Sequence, residues 1–136
     1  MSYAMSQALQ VAVFARLSAD AGLTDLVGTA IFDALPPGDV PELYVALGSE
    51  KARDASDADG TGAVHAFTIS VVTDLAGFAA AKRAAAAACD ALLAAPLVLA
   101  RGRVLGFRFH KAEAARVGTG DTRRIDLIFR ARLSDD

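Results

Sequence analysis

The chain has 136 residues, 54% of them hydrophobic and many of those alanine, with 14 Lys/Arg against 16 Asp/Glu for a net charge of −2. That length and apolar content give one domain able to bury roughly two-thirds of its unfolded surface, which excludes disorder. The absence of Trp and the presence of only two Tyr exclude an aromatic stacking platform, and the single Cys89 excludes an internal disulfide and a cysteine-based zinc site.

In chain order, Met1-Ser2-Tyr3-Ala4-Met5 has no basic segment of the kind that opens a signal peptide. The most apolar window, 84–100, contains Asp90 and Pro96, so no membrane span or membrane partner is expected and a reducing cytoplasm is the expected place of synthesis. Met5, Leu9, Val13 and Leu17 recur every four residues and predict a first helix over 2–20. Val11 and Phe14 fall off that stripe, as in a helix tucked between packed elements or covered by another subunit. Gly22 should break this helix, and 24–28 should add one further turn capped by Thr24. Ile31-Phe32 reads as a short extended piece, and 36–39 as a loop by composition. Leu43, Val45 and Leu47 alternate with Tyr44, Ala46 and Gly48 as a half-buried strand.

The polar stretch 50–62 reads as a long mobile loop leading to the next strand. Over 64–73, Phe67, Ile69 and Val71 alternate with Ala66, Thr68 and Ser70, which predicts a strand with one buried face. After the break at 74–77, residues 78–95 form a helix rich in alanine, the strongest helix former, ended by Pro96. Phe78, Ala81, Ala85, Ala88 and Leu92 share one face, and Cys89 at its edge reads as a small hydrophobe. Residues 97–99 read as a short strand. Leu105, Phe107 and Phe109, then Ile125, Leu127, Phe129, Ala131 and Leu133, alternate with polar residues. This pattern predicts an antiparallel hairpin with one apolar face and one basic face carrying Arg108, Arg124, Arg130 and Arg132. The fold class is α+β: a single domain over 1–136 in the order α-β-β-α-β-β. An antiparallel sheet is covered on one face by the N-terminal helix and the alanine-rich helix.

Charge is distributed unevenly. Residues 1–100 hold five Lys/Arg against eleven Asp/Glu, and residues 101–132 hold nine against three, balances of −6 and +6. A subunit with one acidic and one basic edge suits head-to-tail association with copies of itself.

Motifs for chemistry are missing. His65 and His110 lie in no metal or triad spacing and read as solvated strand positions. Asp54, Asp57 and Asp59 lack the glycine and distal glutamate of a calcium loop, so neither a metal nor any other cofactor is expected. Gly118-Thr119-Gly120 is a hairpin tip and not a phosphate cradle. The acidic total and the lack of a binding motif argue against sequence-specific nucleic-acid binding.

Several segments, in order, resemble the tail-completion or tail-terminator proteins of long-tailed phages and phage-like particles. These are Leu17-Ser18-Ala19-Asp20, Leu26-Val27-Gly28, Ile31-Phe32-Asp33, Pro41 with the strand 43–48, and Ala52-Arg53-Asp54-Ala55-Ser56. They continue with 65–72, Gly77, Leu97-Val98-Leu99, 104–109 and 125–133. The aromatics the family pattern would place near Ala55 and Thr73 are missing, which puts in doubt the contact they make but not the fold. The alanine-rich composition fits a prophage or a gene transfer agent as well as a free phage.

The resemblance implies a structural assembly protein, not an enzyme. It would form a ring, typically of six copies, at the head-proximal end of the tail in the virion after assembly in the host cytoplasm. The ring would meet the major tail tube protein on one side and the head completion or connector protein on the other, with DNA able to pass through it. The candidate interface residues are Arg53, Asp54, Asp57 and Asp59 in the loop, Arg108, Arg124, Arg130 and Arg132 on the hairpin, and Val11 and Phe14 on the first helix. The alternative is a small-molecule-binding or regulatory α+β module, which would need a pocket with convergent polar groups.

Overall fold

The four-residue repeat of Met5, Leu9, Val13 and Leu17 gives a helix α1 over Ser6–Ala19 in the computed structural model, which describes residues 3–56, 60–118 and 120–135. All four side chains are buried against the sheet. At Asp20 the backbone turns extended, and its carboxylate accepts the Leu23 N–H at 2.9 Å, starting helix α2 over Ala21–Val27. The cap is therefore Asp20 and not Thr24, and Gly22 lies inside α2 instead of ending α1. The earlier turn wins because Asp20 offers an acceptor to an otherwise orphaned N–H one turn sooner.

Five strands form one sheet in the order β1-β2-β3-β5-β4. They are β1 (Ile31–Phe32), β2 (Leu43–Asp54), β3 (Gly62–Thr73), β4 (Arg103–Arg116) and β5 (Arg123–Ser134). The α+β class holds. The sheet is mixed rather than purely antiparallel, because β1 runs parallel to β2 at its outer edge.

Helix α3 (Ala79–Leu93) follows the turn at Gly77, whose φ of 75° belongs to the left-handed region that glycine occupies freely. Ala81, Ala84, Ala85, Ala88 and Leu92 are buried while Lys82, Arg83, Ala86 and Asp90 face solvent, as their spacing predicts. All the helices lie against one sheet face.

Strand lengths depart from the sequence reading. Residues 50–54 continue β2, and Gly62 already belongs to β3, so the expected 50–62 loop loses both of its ends to strands, while its residues 57–59 lie outside the described ones. The expected strand at 97–99 does not form; Leu97 is buried and Val98 is exposed in an irregular link between α3 and β4. The final hairpin is longer than its apolar alternation, since β4 continues to Arg116 and β5 begins at Arg123.

Register shifts between Leu47 and Glu50, Val104 and Gly106, and Phe109 and Lys111 each insert one residue and so exchange the faces beyond it. The first turns Glu50 inward. The second leaves Leu105, expected in the core, half exposed. Phe129 is fully buried at the centre of an aromatic group, with ring centroids 5.7 Å from Phe67, 5.6 Å from Phe107 and 5.8 Å from Phe109. Phe109 keeps that contact although it is partly exposed on the edge strand.

Candidate functional site

Directly paired residues on neighbouring strands point to the same face, so the register defines what the uncovered face of the sheet carries. One row runs Arg53, Val64, Arg132, Gly106; the next runs Lys51, Ala66, Arg130, Arg108; a third contains Thr68, Ile128 and Lys111. Six cationic side chains thus occupy three successive rows, carried by β2, β5 and β4, with the uncharged Val64, Ala66 and Thr68 of β3 between them. Among the described residues, no ion pair involves Lys51, Arg53, Arg108, Lys111, Arg130 or Arg132. Arg132 donates to the carbonyl oxygen of Ala55 at 3.4 Å.

Arg124 differs. It shares the same face two rows further on, but its Nε lies 2.7 Å from the Asp126 carboxylate, which also accepts from Ser70 Oγ at 2.7 Å. Of the four hairpin arginines expected to act together, Arg108, Arg130 and Arg132 form an unneutralised group and Arg124 is already paired. Lys51, Lys111 and Arg53 complete the group. Lys51 was hidden because its segment reads as a loop, yet the alternation of Lys51 and Arg53 with Glu50, Ala52 and Asp54 is itself a strand signal.

His110, at the second bulge of β4, lines a shallow depression of about 360 Å³ on this face with Ser49, Lys51, Thr68, Lys111 and Arg130. Loss of solvent, then the charges of Arg130, Arg108 and Lys111, hold its imidazole below the ordinary histidine pKa. A positive field that discourages one more proton also attracts an anion.

The remaining candidates are dispersed. Asp54 lies on the opposite face from Arg53, where Ser56 donates to its carboxylate from Oγ at 2.7 Å and from N at 3.1 Å, lowering its pKa. Asp57 and Asp59 lie outside the described residues. Val11 is 58% exposed on the outer side of α1, whereas Phe14 is half-buried and packs against the core. Cys89 is partly buried; burial and the neighbouring Asp90 push its thiol pKa up, away from reactivity.

His65 is not a solvated strand residue. It is fully buried on the helix-facing side of β3, with Nδ1 3.0 Å from Glu50 Oε2 and its ring stacked on Tyr3. Glu50 also accepts from Ser6 Oγ at 2.6 Å and from the Tyr3 hydroxyl. Burial raises the Glu50 pKa, but these donors and His65 outweigh it and hold the carboxyl below the ordinary range. The cluster ties the start of α1 to β2 and β3. It is not a nucleophilic triad, because the Ser6 hydroxyl is directed to Glu50 and not to the imidazole. Among the described residues, no cluster of three or more His, Cys, Asp or Glu side chains is placed to hold a metal ion. The signal for this cluster was available: the alternation through Phe67, Ile69 and Val71, carried back one step, places His65 on the buried face.

The family model described as tail completion protein gp17 matches residues 11–134. A chain in the solved structure entitled "Virion of native gene transfer agent (GTA) particle" is 59% identical, with a TM-score of 0.92 over 98% of this chain and 99% of that one. No curated protein matches the sequence.

Proposed function

Because the chain belongs to the tail completion protein gp17 family, we propose that it acts as a structural, non-enzymatic component that ends the tail tube of a virion and joins it to the head. Copies form a ring, six in number, at the head-proximal end. One rim meets the major tail tube protein and the other meets the head completion or connector protein, and DNA can pass through the centre. Assembly takes place in the host cytoplasm.

The observation that carries this reading is the block of six cations that make no ion pair among the described residues, on the sheet face opposite the helices. Desolvating any one of these charges is unfavourable alone, but an acidic surface of a neighbouring subunit or tail protein meets several at once. The 2.7 Å pair between Arg124 and Asp126 shows how this sheet neutralises an arginine when it does so internally. Val11, exposed on α1, offers a second contact on the helix side.

Negative-stain imaging of the purified full-length chain, alone and after incubation with tail tubes, tests the reading. Rings in solution, or tubes capped at one end with uniform length, are the expected result. Uncapped tubes that keep growing in its presence, with no ring in either sample, overturn it.

A further inference from the structure

The two outer edges of the sheet differ in a complementary way. At one edge, β4 is hydrogen-bonded on one side only, and α3 stops at Leu93 before covering it. Beside that edge, on the helix side, lies an open groove of about 340 Å³ lined by Leu92, Leu93, Pro96, Val104, Leu105 and Phe107. Leu93 is 47% and Leu105 is 50% exposed; the bulge between Val104 and Gly106 leaves Leu105 outside the packed layer. Across the strand edge, on the uncovered face, the same strand carries Arg103, Arg108 and Lys111 against the single acid Glu113.

At the other edge, the loop 33–42 between β1 and β2 presents Leu35, 51% exposed, and Val40, 41% exposed. It carries Asp33, Asp39 and Glu42, and no Lys or Arg occurs between Arg16 and Lys51. Both ends of this loop are tied down. Gln10 Nε2 donates to the Asp33 carboxylate at 2.6 Å, and the Glu42 carbonyl accepts from Thr73 Oγ1 at 2.7 Å and Asp74 N at 3.1 Å.

From these two surfaces we infer that the loop 33–42 of one copy docks on the β4 edge of the next, with Leu35 and Val40 in the groove beside Leu93 and Leu105 and the loop carboxylates reaching over the strand edge toward Arg103, Arg108 and Lys111 on its other face. The inference rests on the ring reading and names the contact that closes it. Strand order places the two surfaces at opposite ends of one sheet, so no copy can fill its own groove and the contact is head-to-tail. It is not strand addition. Pro36, Pro37 and Pro41 have no N–H to give to a ladder, and the two bulges of β4 are a device that discourages edge-to-edge pairing. Apolar side chains supply the contact and opposite charges set its direction.

The test uses the full chain with Cys89→Ala, so that the native thiol does not compete, and the pair Val40→Cys with Leu105→Cys. A short bismaleimide added to the sample, alone and on tail tubes, should give a ladder of covalent oligomers ending at the ring. The control pair Val117→Cys with Leu105→Cys, with Val117 exposed just beyond the far end of β4, should give none. Separately, Leu105→Asp should raise the concentration at which rings form by about tenfold or more, with its thermal unfolding close to that of the parent. If rings or capped tubes form but the first pair gives no ladder, and Leu105→Asp caps normally, the docking inference is overturned and the ring reading stands. If no ring or cap forms with the parent chain, both fall.

Discussion

Glu50 shows how one inserted residue decides what a side chain does. Without the register shift after Leu47 it would point to the uncovered face and Lys51 would turn inward; with the shift it turns under α1 and accepts from Ser6, Tyr3 and His65. The sequence carried half of this. The alternation of β3 placed His65 inside, but nothing in Leu47-Gly48-Ser49-Glu50 declares where the bulge falls, so the partner of His65 could not be read. Glu50→Gln keeps the shape and weakens the acceptor, and it should lower stability at neutral pH by about 1–3 kcal/mol. Because the Glu50 carboxyl is held below the ordinary range, its contribution is fully present above the unfolded glutamate pKa of about 4.3 and fades as pH falls through that value toward the folded one. Denaturant unfolding of parent and variant at neutral pH and near pH 4 should therefore show a gap that narrows on acidification. A gap that widens would mean that the carboxyl is destabilised in the folded state.

Among the elements, the β4–β5 hairpin separates what alternation reveals from what it conceals. On β5 the alternation runs unbroken from Ile125 to Leu133, and every expected inward residue is buried. On β4 the same reading fails at Leu105 and at the strand's end, because two bulges reset the faces and because 111–116 lies on an edge where neither face needs to be apolar. Polar residues in 50–54 and 111–116 were legible as exposed but not as strand, since solvation alone does not distinguish the two. The energetic consequence is sharp. Phe129→Ala removes the centre of the aromatic group and should cost about 3–5 kcal/mol. Leu105→Ala, also inward by simple alternation, should cost less than about 1 kcal/mol. Equal losses in equilibrium unfolding would mean that the bulge after Val104 does not exist in solution.

For the whole molecule, the question is whether the uncovered sheet face is a binding surface or a solvated one. The charge division at residue 100 becomes, in three dimensions, a division across the sheet: acids in the loop between β1 and β2, and cations on β2, β5 and β4 with no ion pair among the described residues. Lys51 and Arg53 come from the acidic half of the chain and join the basic face only through the pairing of β2 with β3 and of β3 with β5, which no linear count displays. Rim charge pairs contribute only about 0–1 kcal/mol each, so the face works as a block or not at all. Arg130→Glu with Arg132→Glu reverses one charge in each of two adjacent rows while leaving the buried residues of β5 untouched, so the folded chain should keep its unfolding midpoint within a few degrees. Capping of tail tubes should be lost, and in the parent it should weaken as salt rises toward 1 M, where the screening length falls to about 3 Å. Lengths of tubes grown with each protein, measured by electron microscopy across a salt series, read both effects. Uniform, capped tubes with the double variant at every salt concentration would show that the six cations are merely hydrated and that the contacts ending the tube lie elsewhere on the molecule.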